Sequence, residues 1–447
     1  MSRAQSRAQS SDQSIPLLSL PGAWRRYPVA TALVGLLVIF LVLFPKGGIK
    51  ISSVPITWGY LLLGLPLPVL ALIRLVGFPL RFRRTALIAV ATVIPFDVLF
   101  LYSCRQNGVA SVGDAMSTFV NFFLFPPAFL LVYPAFLDRI DGARLSRLLR
   151  FCMLSAALFG LVLFVVYPLT GNLLEVPYLT VNADDYGLID STKHITRGAF
   201  LKLISTYNNG NVYGVATLIL LPIYNTLEPK AWRRNTMKLA LILTLSRTVW
   251  AGLIFEQLLS LGRIAFESAP TFPRVKLGPA LRRSLVLFVT AGAIVAGLTL
   301  TFGDLSFLFD ENLGGRSAGL ISAFHNITLL PAIPVIPFNE IIYAAALAEY
   351  GVAGFFSIIL IFLMPLALFA SNPAVLRSPI RAAALKGLIL YSLLMGIDGA
   401  IGLIPVMVFY WFTYMIFLEG WPQAFEAAST PTAEPAPPAD AARLGFA

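Results

Sequence analysis

One arginine inside an apolar stretch defines the chemistry to look for. Arg247 stands in Leu243-Thr244-Leu245-Ser246-Arg247-Thr248-Val249-Trp250. Placing a guanidinium inside a membrane costs at least about 2.5–3.5 kcal/mol on insertion scales, so an anion must offset it. Two kinds of anion fit. One is an acid on a neighbouring helix, Asp97 or Glu256. The other is an anionic substrate group held by the planar fork of arginine. Arg316 closes Asp310-Glu311-Asn312-Leu313-Gly314-Gly315-Arg316. Its glycines permit a sharp turn or a close approach to a ligand; the plain alternative is a solvated loop arginine. Arg197 precedes the run Tyr207-Asn208-Asn209-Gly210-Asn211-Val212-Tyr213-Gly214. That run reads as a polar turn ending in an Asn-capped helix, or as a helix start whose amides, Asn211 included, face a phosphate or sugar. In Phe338-Asn339-Glu340-Ile341-Ile342-Tyr343, Glu340 opens an amphipathic stretch outside a span. It reads as a carboxylate complementing a helix dipole, or as a general base for a sugar hydroxyl.

Other titratable groups are sparse. His194 and His325 are the only histidines, and His325 reads first as a packing residue. Asp97 and Asp398 lie inside apolar runs and read as bonds between helices ahead of proton relays. No histidine pair at helical spacing, cysteine cluster or carboxylate array suggests a metal site. Cys104 and Cys152 are the only cysteines, and the span order puts them at opposite faces, unable to pair.

The elements that must hold these residues follow from composition. The chain has 447 residues, 57% hydrophobic and 12% charged, with a mean hydropathy of +0.80. Soluble domains are about 25% charged, so cytosolic enzymes, nucleic-acid binders and disordered chains are excluded and the bilayer is the main solvent. The net charge of +11 reflects basic cytoplasmic loops, with no nucleic-acid partner. Apolar runs lie at roughly 29–44, 57–75, 85–103, 115–136, 151–169, 212–227, 284–302, 351–370, 387–401 and 405–418. With both termini cytoplasmic, 25 of the 33 Lys and Arg fall on the cytoplasmic side and seven on the other. Residues 230–238 and 263–283 are both basic and should share that side, yet the 24 residues between them are too few for two full crossings. A broken hairpin satisfies both demands: 239–245 rises, the chain turns at Ser246-Arg247, and 248–262 returns. Non-helical backbone at that depth needs protein or a wet cavity around it.

The expected architecture is therefore an all-α polytopic membrane protein with about 11–12 transmembrane helices, the broken hairpin included. Residues 1–27 form a cytoplasmic segment that does not read as a cleaved signal peptide. Residues 28–423 form one transmembrane domain, and 424–447, rich in Ala and Pro, a disordered cytoplasmic tail. Two larger loops, about 170–211 and 303–350, lie on the far side, the second ending in an interfacial helix.

In this order, four landmarks resemble the O-antigen ligase / O-antigen polymerase superfamily of bacterial inner membranes. They are Arg197 with Asn209–Asn211 opening a span, the Ser246-Arg247 hairpin, Gly315-Arg316, and Tyr343 followed by Glu349-Tyr350-Gly351-Val352-Ala353-Gly354. The likeness covers about residues 196–370. It implies a fold similar to the multispan glycosyltransferases and a substrate carried on undecaprenyl diphosphate at the periplasmic face. It implies that Arg247 and Arg316 hold the diphosphate, that Arg197, Asn211, Asn339 and Tyr343 contact the substrate, and that neither metal nor cofactor is needed. Flippase and chain-length regulator proteins are the implied partners. Ligases carry a His-Asn pair eleven residues before the first glycine of the last landmark. Here that place holds Glu340 and Ile341, with Asn339 one position early. This departure favours a repeat-unit polymerase with Glu340 as base, ahead of a ligase or a lipid-linked oligosaccharide flippase.

Overall fold

The computed structural model describes residues 28–51, 54–77, 82–188, 195–197, 200–267, 321, 324, 327–336, 338, 341–373 and 377–423. Arg316, Asn339, Glu340, His194, His325 and the expected span 284–302 lie outside them, as do both terminal segments. The described chain is mostly helical. Its helical elements are α1 (Ala30–Leu43), α2 (Trp58–Val76), α3 (Arg84–Gln106), α4 (Val112–Arg139), α5 (Gly142–Thr170), α6 (Gly210–Leu227), α7 (Ala231–Leu243), α8 (Arg247–Glu267), α9 (Ile342–Ser371), α10 (Pro379–Leu394) and α11 (Val406–Glu419). Five of them, α2, α3, α4, α5 and α9, are long and apolar enough to cross a membrane. Their outward faces carry large apolar side chains, such as Leu65, Val76 and Leu169, at 74–80% exposure. Apolar surface on that scale requires a lipid environment.

Local chemistry explains where these helices start and bend. Asp141 accepts from the Ala143 and Arg144 amides to cap α5, and Gly171 ends it in the left-handed region at φ 68°. Both are common terminus signals. Pro126 and Pro127 lie mid-way along α4, and π-helical turns flank them at Val120–Leu124 and Ala128–Val132. Proline lacks an amide donor, so the hydrogen-bond ladder has to shift past it.

The structure departs from an all-helical reading at two small antiparallel pairs. They are β1 (Gly48–Ile51) with β2 (Val54–Thr57), and β3 (Thr196–Arg197) with β4 (Phe200–Leu201). Both lie in connections, where water and tight turns let short strands pair. A second departure concerns α9. Its first nine residues fall within the expected far-side loop, yet Ile342, Ala344–Leu347, Glu349 and Tyr350 are buried. This stretch packs inside the protein. Gly351 breaks it from the rest of α9 at φ 69°, ψ −169°. A Cβ there would meet the Thr328 carbonyl at 2.6 Å, and the Val352 and Ala353 amides donate to Thr328 and Leu329.

The centre of the molecule is α6, buried from Val212 through Tyr224. A helix apolar on all sides belongs in an interior. Glycines set how closely its neighbours approach. A Cβ on Gly387 of α10 would lie 2.3 Å from the Ile219 carbonyl, and one on Gly214 of α6 2.0 Å from Val249 of α8. Behind α6, Tyr391, Tyr410, Trp411 and Tyr414 form an aromatic core with Phe362. The Trp411 indole donates to the Asn121 carbonyl at 2.9 Å, and the Asn121 amide to Ile401 at 2.9 Å. These two bonds tie α4 to α11 and to the turn before it.

Candidate functional site at the hairpin tip

Helix α7 stops because the chain turns on itself. Thr244 Oγ1 donates back to the Leu241 carbonyl at 2.7 Å, a local bond that competes with helix continuation. Leu245 then takes φ 50°, a left-handed conformation costly for a leucine and held only by its surroundings. Ser246 restarts the chain, its Oγ accepting from the Val249 amide at 3.5 Å. The Trp250 indole donates across the turn to Ile242 at 2.9 Å. Six residues before and ten after the turn, Lys238 Nζ and Glu256 Oε2 come within 3.8 Å, so α8 runs back beside α7. The break falls at Thr244–Ser246, within two residues of the turn expected from the charge pattern.

Arg247 is the first residue of α8 and is half-buried. Among the described residues it makes no hydrogen bond or ion pair. Neither acid considered as its partner serves. Glu256 lies further down α8, where Lys386 Nζ sits 2.7 Å from Oε1 and the Gln257 amide donates to Oε2 at 2.8 Å. Lys386 also reaches the Ser260 hydroxyl. Asp97, half-buried on α3, forms no ion pair among the described residues.

The Asn run meets this tip. Asn209 caps α6, its Oδ1 accepting from the Asn211 amide at 2.9 Å and the Val212 amide at 3.3 Å. A Cβ on Gly210 would lie 3.3 Å from the Thr244 carbonyl. Asn211 therefore falls between the Gly210–Thr244 and Gly214–Val249 approaches, on the helix packed against the start of α8. Its side-chain amide donates to Asp398 Oδ2 at 3.2 Å, while its Oδ1 is buried without a hydrogen-bond partner among the described residues. Asp398 is 3% exposed, in the turn after α10. Its pairing with Asn211 spans 187 residues, which sequence spacing has no means to reveal.

Arg197 enters through β3, whose partner strand β4 ends at Leu201. Two residues on, the Leu203 amide donates to the Leu243 carbonyl at 3.0 Å, at the hairpin itself. Tyr343 lies at the start of α9 and donates its hydroxyl to the Ser392 carbonyl at 2.8 Å, and the Ile342 amide bonds Met395 at 3.0 Å. Tyr343 thus braces α9 against α10. The tip of the hairpin, the start of α6 and the turn carrying Asp398 converge at one end of the bundle.

The same end carries a second polar group. Lys50 pairs with Asp185 at 2.6 Å, and half-buried Lys46 stands nearby. Burial pushes the Lys46 ammonium down to about 8; Asp185 opposes the shift and Lys50 adds to it. Three contacts join this corner to the site: Gly48 bridges Asn182, the Tyr207 hydroxyl donates to the Val42 carbonyl at 3.0 Å, and the Asn208 side-chain amide to the Thr180 carbonyl at 3.5 Å. Among the described residues, no three His, Cys, Asp or Glu side chains gather to hold a metal. No family model matches the chain, and no curated protein matches it significantly.

Proposed function

We propose that this protein is a polysaccharide repeat-unit polymerase of a bacterial inner membrane. It would transfer glycan from undecaprenyl diphosphate to an acceptor sugar hydroxyl at the periplasmic face, without metal. One observation carries the reading: a half-buried guanidinium at the tip of a broken hairpin, with no protein anion beside it among the described residues. A diphosphate supplies the missing charge, and the planar fork of arginine suits its geometry. Asn211 supports the reading with a buried Oδ1, unpartnered among the described residues, at the same end of the bundle.

In this mechanism the acceptor oxygen attacks the anomeric carbon as the bond to the diphosphate oxygen breaks, inverting the configuration. Glu340 takes the acceptor proton. Arg247 and Arg316 stabilise charge developing on the leaving undecaprenyl diphosphate. Arg197, Asn211 and Asn339 position the donor, and Tyr343 keeps α9 in place. The fold would be of the multispan glycosyltransferase kind, with about 11–12 spans and both termini cytoplasmic. A flippase delivers the lipid-linked unit, and a chain-length regulator completes the assembly.

A glycan gel from a deletion strain complemented with the wild type or Arg247→Ala tests this. Expected is a loss of long chains with single repeats retained in the deletion and in Arg247→Ala. Normal chain length with Arg247→Ala sinks the proposal. Free polymer missing from lipid A-core identifies a ligase, and accumulation of the lipid-linked unit on the cytoplasmic side a flippase.

A further inference from the structure

The opposite end of α6 carries a charge imbalance that the proposed transfer does not use. Glu228, just past the last turn of α6, is 1% exposed. Its Oε1 accepts from the Lys230 amide at 3.0 Å. Its Oε2 faces Arg233 at 3.4 Å and Arg150 of α5 at 3.8 Å. Arg234 donates to the Glu228 backbone carbonyl at 3.1 Å, and Arg150 to that of Leu227 at 3.3 Å. Two guanidiniums thus face one carboxylate and a third its backbone carbonyl, with exposed Lys230 beside them. The Arg233 Nε–H is buried and has no hydrogen-bond partner among the described residues.

The surroundings indicate what completes the group. The Arg233 guanidinium lies over the Trp232 ring at 5.3 Å, and Trp232 is 55% exposed. An exposed tryptophan beside arginines, at the start of α7 and next to the apolar span α5, marks headgroup level. Beyond it, α5 turns Phe151 and Leu158 outward, and α7 turns Leu239 outward two helical turns past Trp232 and beyond exposed Asn235. Surplus positive charge at one level and an apolar track leading from it match a two-part ligand.

We propose that the junction of α5, α6 and α7 binds an anionic phospholipid, its phosphate among Arg150, Arg233 and Arg234 and its acyl chains along Phe151, Leu158 and Leu239. Glu228 fixes the guanidiniums and leaves part of their charge for the headgroup.

Native mass spectrometry of the delipidated, intact protein tests this by titration with phosphatidylglycerol, with phosphatidylcholine of the same chains, and with inorganic phosphate. Expected is one tightly held phosphatidylglycerol, with much weaker retention of phosphatidylcholine. Arg233→Gln with Arg234→Gln should weaken the lipid about thirtyfold, from roughly a factor of five per charge near the surface. Equal retention of the two lipids by the wild type overturns the proposal, and needs no variant to fold. Inorganic phosphate displacing phosphatidylglycerol completely also overturns it, since the apolar track then adds nothing. Undiminished phosphatidylglycerol binding by a folded double variant does the same.

Discussion

Two of the ionisable residues on helix α8, Arg247 and Glu256, meet opposite fates. Glu256 sits amid Lys386, Lys238, Gln257 and Ser260, and its charge is answered within the chain. Arg247, nine residues earlier at the hairpin tip, is answered by nothing among the described residues. In a low-dielectric interior a paired charge is a structural element, because removing one partner strands the other. An unpaired one persists only where water or a ligand reaches it. The contrast separates what holds the hairpin together from what the hairpin presents.

The largest expected effect falls on the paired residue. Glu256→Ala strands two lysines and should cost about 3 kcal/mol, at the low end for a broken buried pair. Thermal unfolding of the purified protein should show a lower midpoint, with activity falling only as the folded fraction falls. Arg247→Ala should behave in the reverse way. Its melting point should stay within a degree or two, while glycan transfer falls about 10²–10³-fold, the size expected for one lost donor to a developing oxyanion. Arg247→Lys should recover little, since a point charge does not replace the fork. If Arg247→Ala destabilises as much as Glu256→Ala, the contrast collapses.

Smaller effects sharpen the boundary of the site. Asn209→Ala removes the cap of α6 and should cost about 1 kcal/mol; a larger drop in transfer than in melting point would place the α6 start in the substrate path. Lys46 gives the mildest signal. Its folded pKa is lowered to about 8, below the unfolded value near 10.5. Between those two values the unfolded chain binds more protons, so this group makes stability rise with pH from about 8 to 10.5. Melting points across that range should show the rise in the wild type and a flatter profile in Lys46→Met.

Much of the scaffold was legible because the bilayer imposes long apolar runs. The expected run at 57–75 coincides with α2 to within one residue at each end, and those at 85–103 and 151–169 fall within α3 and α5. The hairpin was legible by a different route: two basic flanks with too little chain between them for a full return. The Asn209 cap followed from local chemistry that acts within three residues. Other features had no such signal. Nothing near Leu245 announces a leucine with positive φ, since only the packed tip enforces it. Gly351 reads as a motif glycine, and its positive φ shows only where Thr328 and Leu329 press on it. The burial of Ile342–Tyr350 was missed because a short apolar helix beside a polar loop looks alike at an interface and in an interior.

The sequence by itself determined the solvent, the apolar spans and the place where one crossing had to fold back, because these follow from composition and from short-range hydrogen bonding. Tertiary structure alone decided which charges are answered. Glu256 finds Lys386 across 130 residues and Asn211 finds Asp398 across 187. An electrostatic partner is chosen by distance in space, and chain separation carries no trace of it.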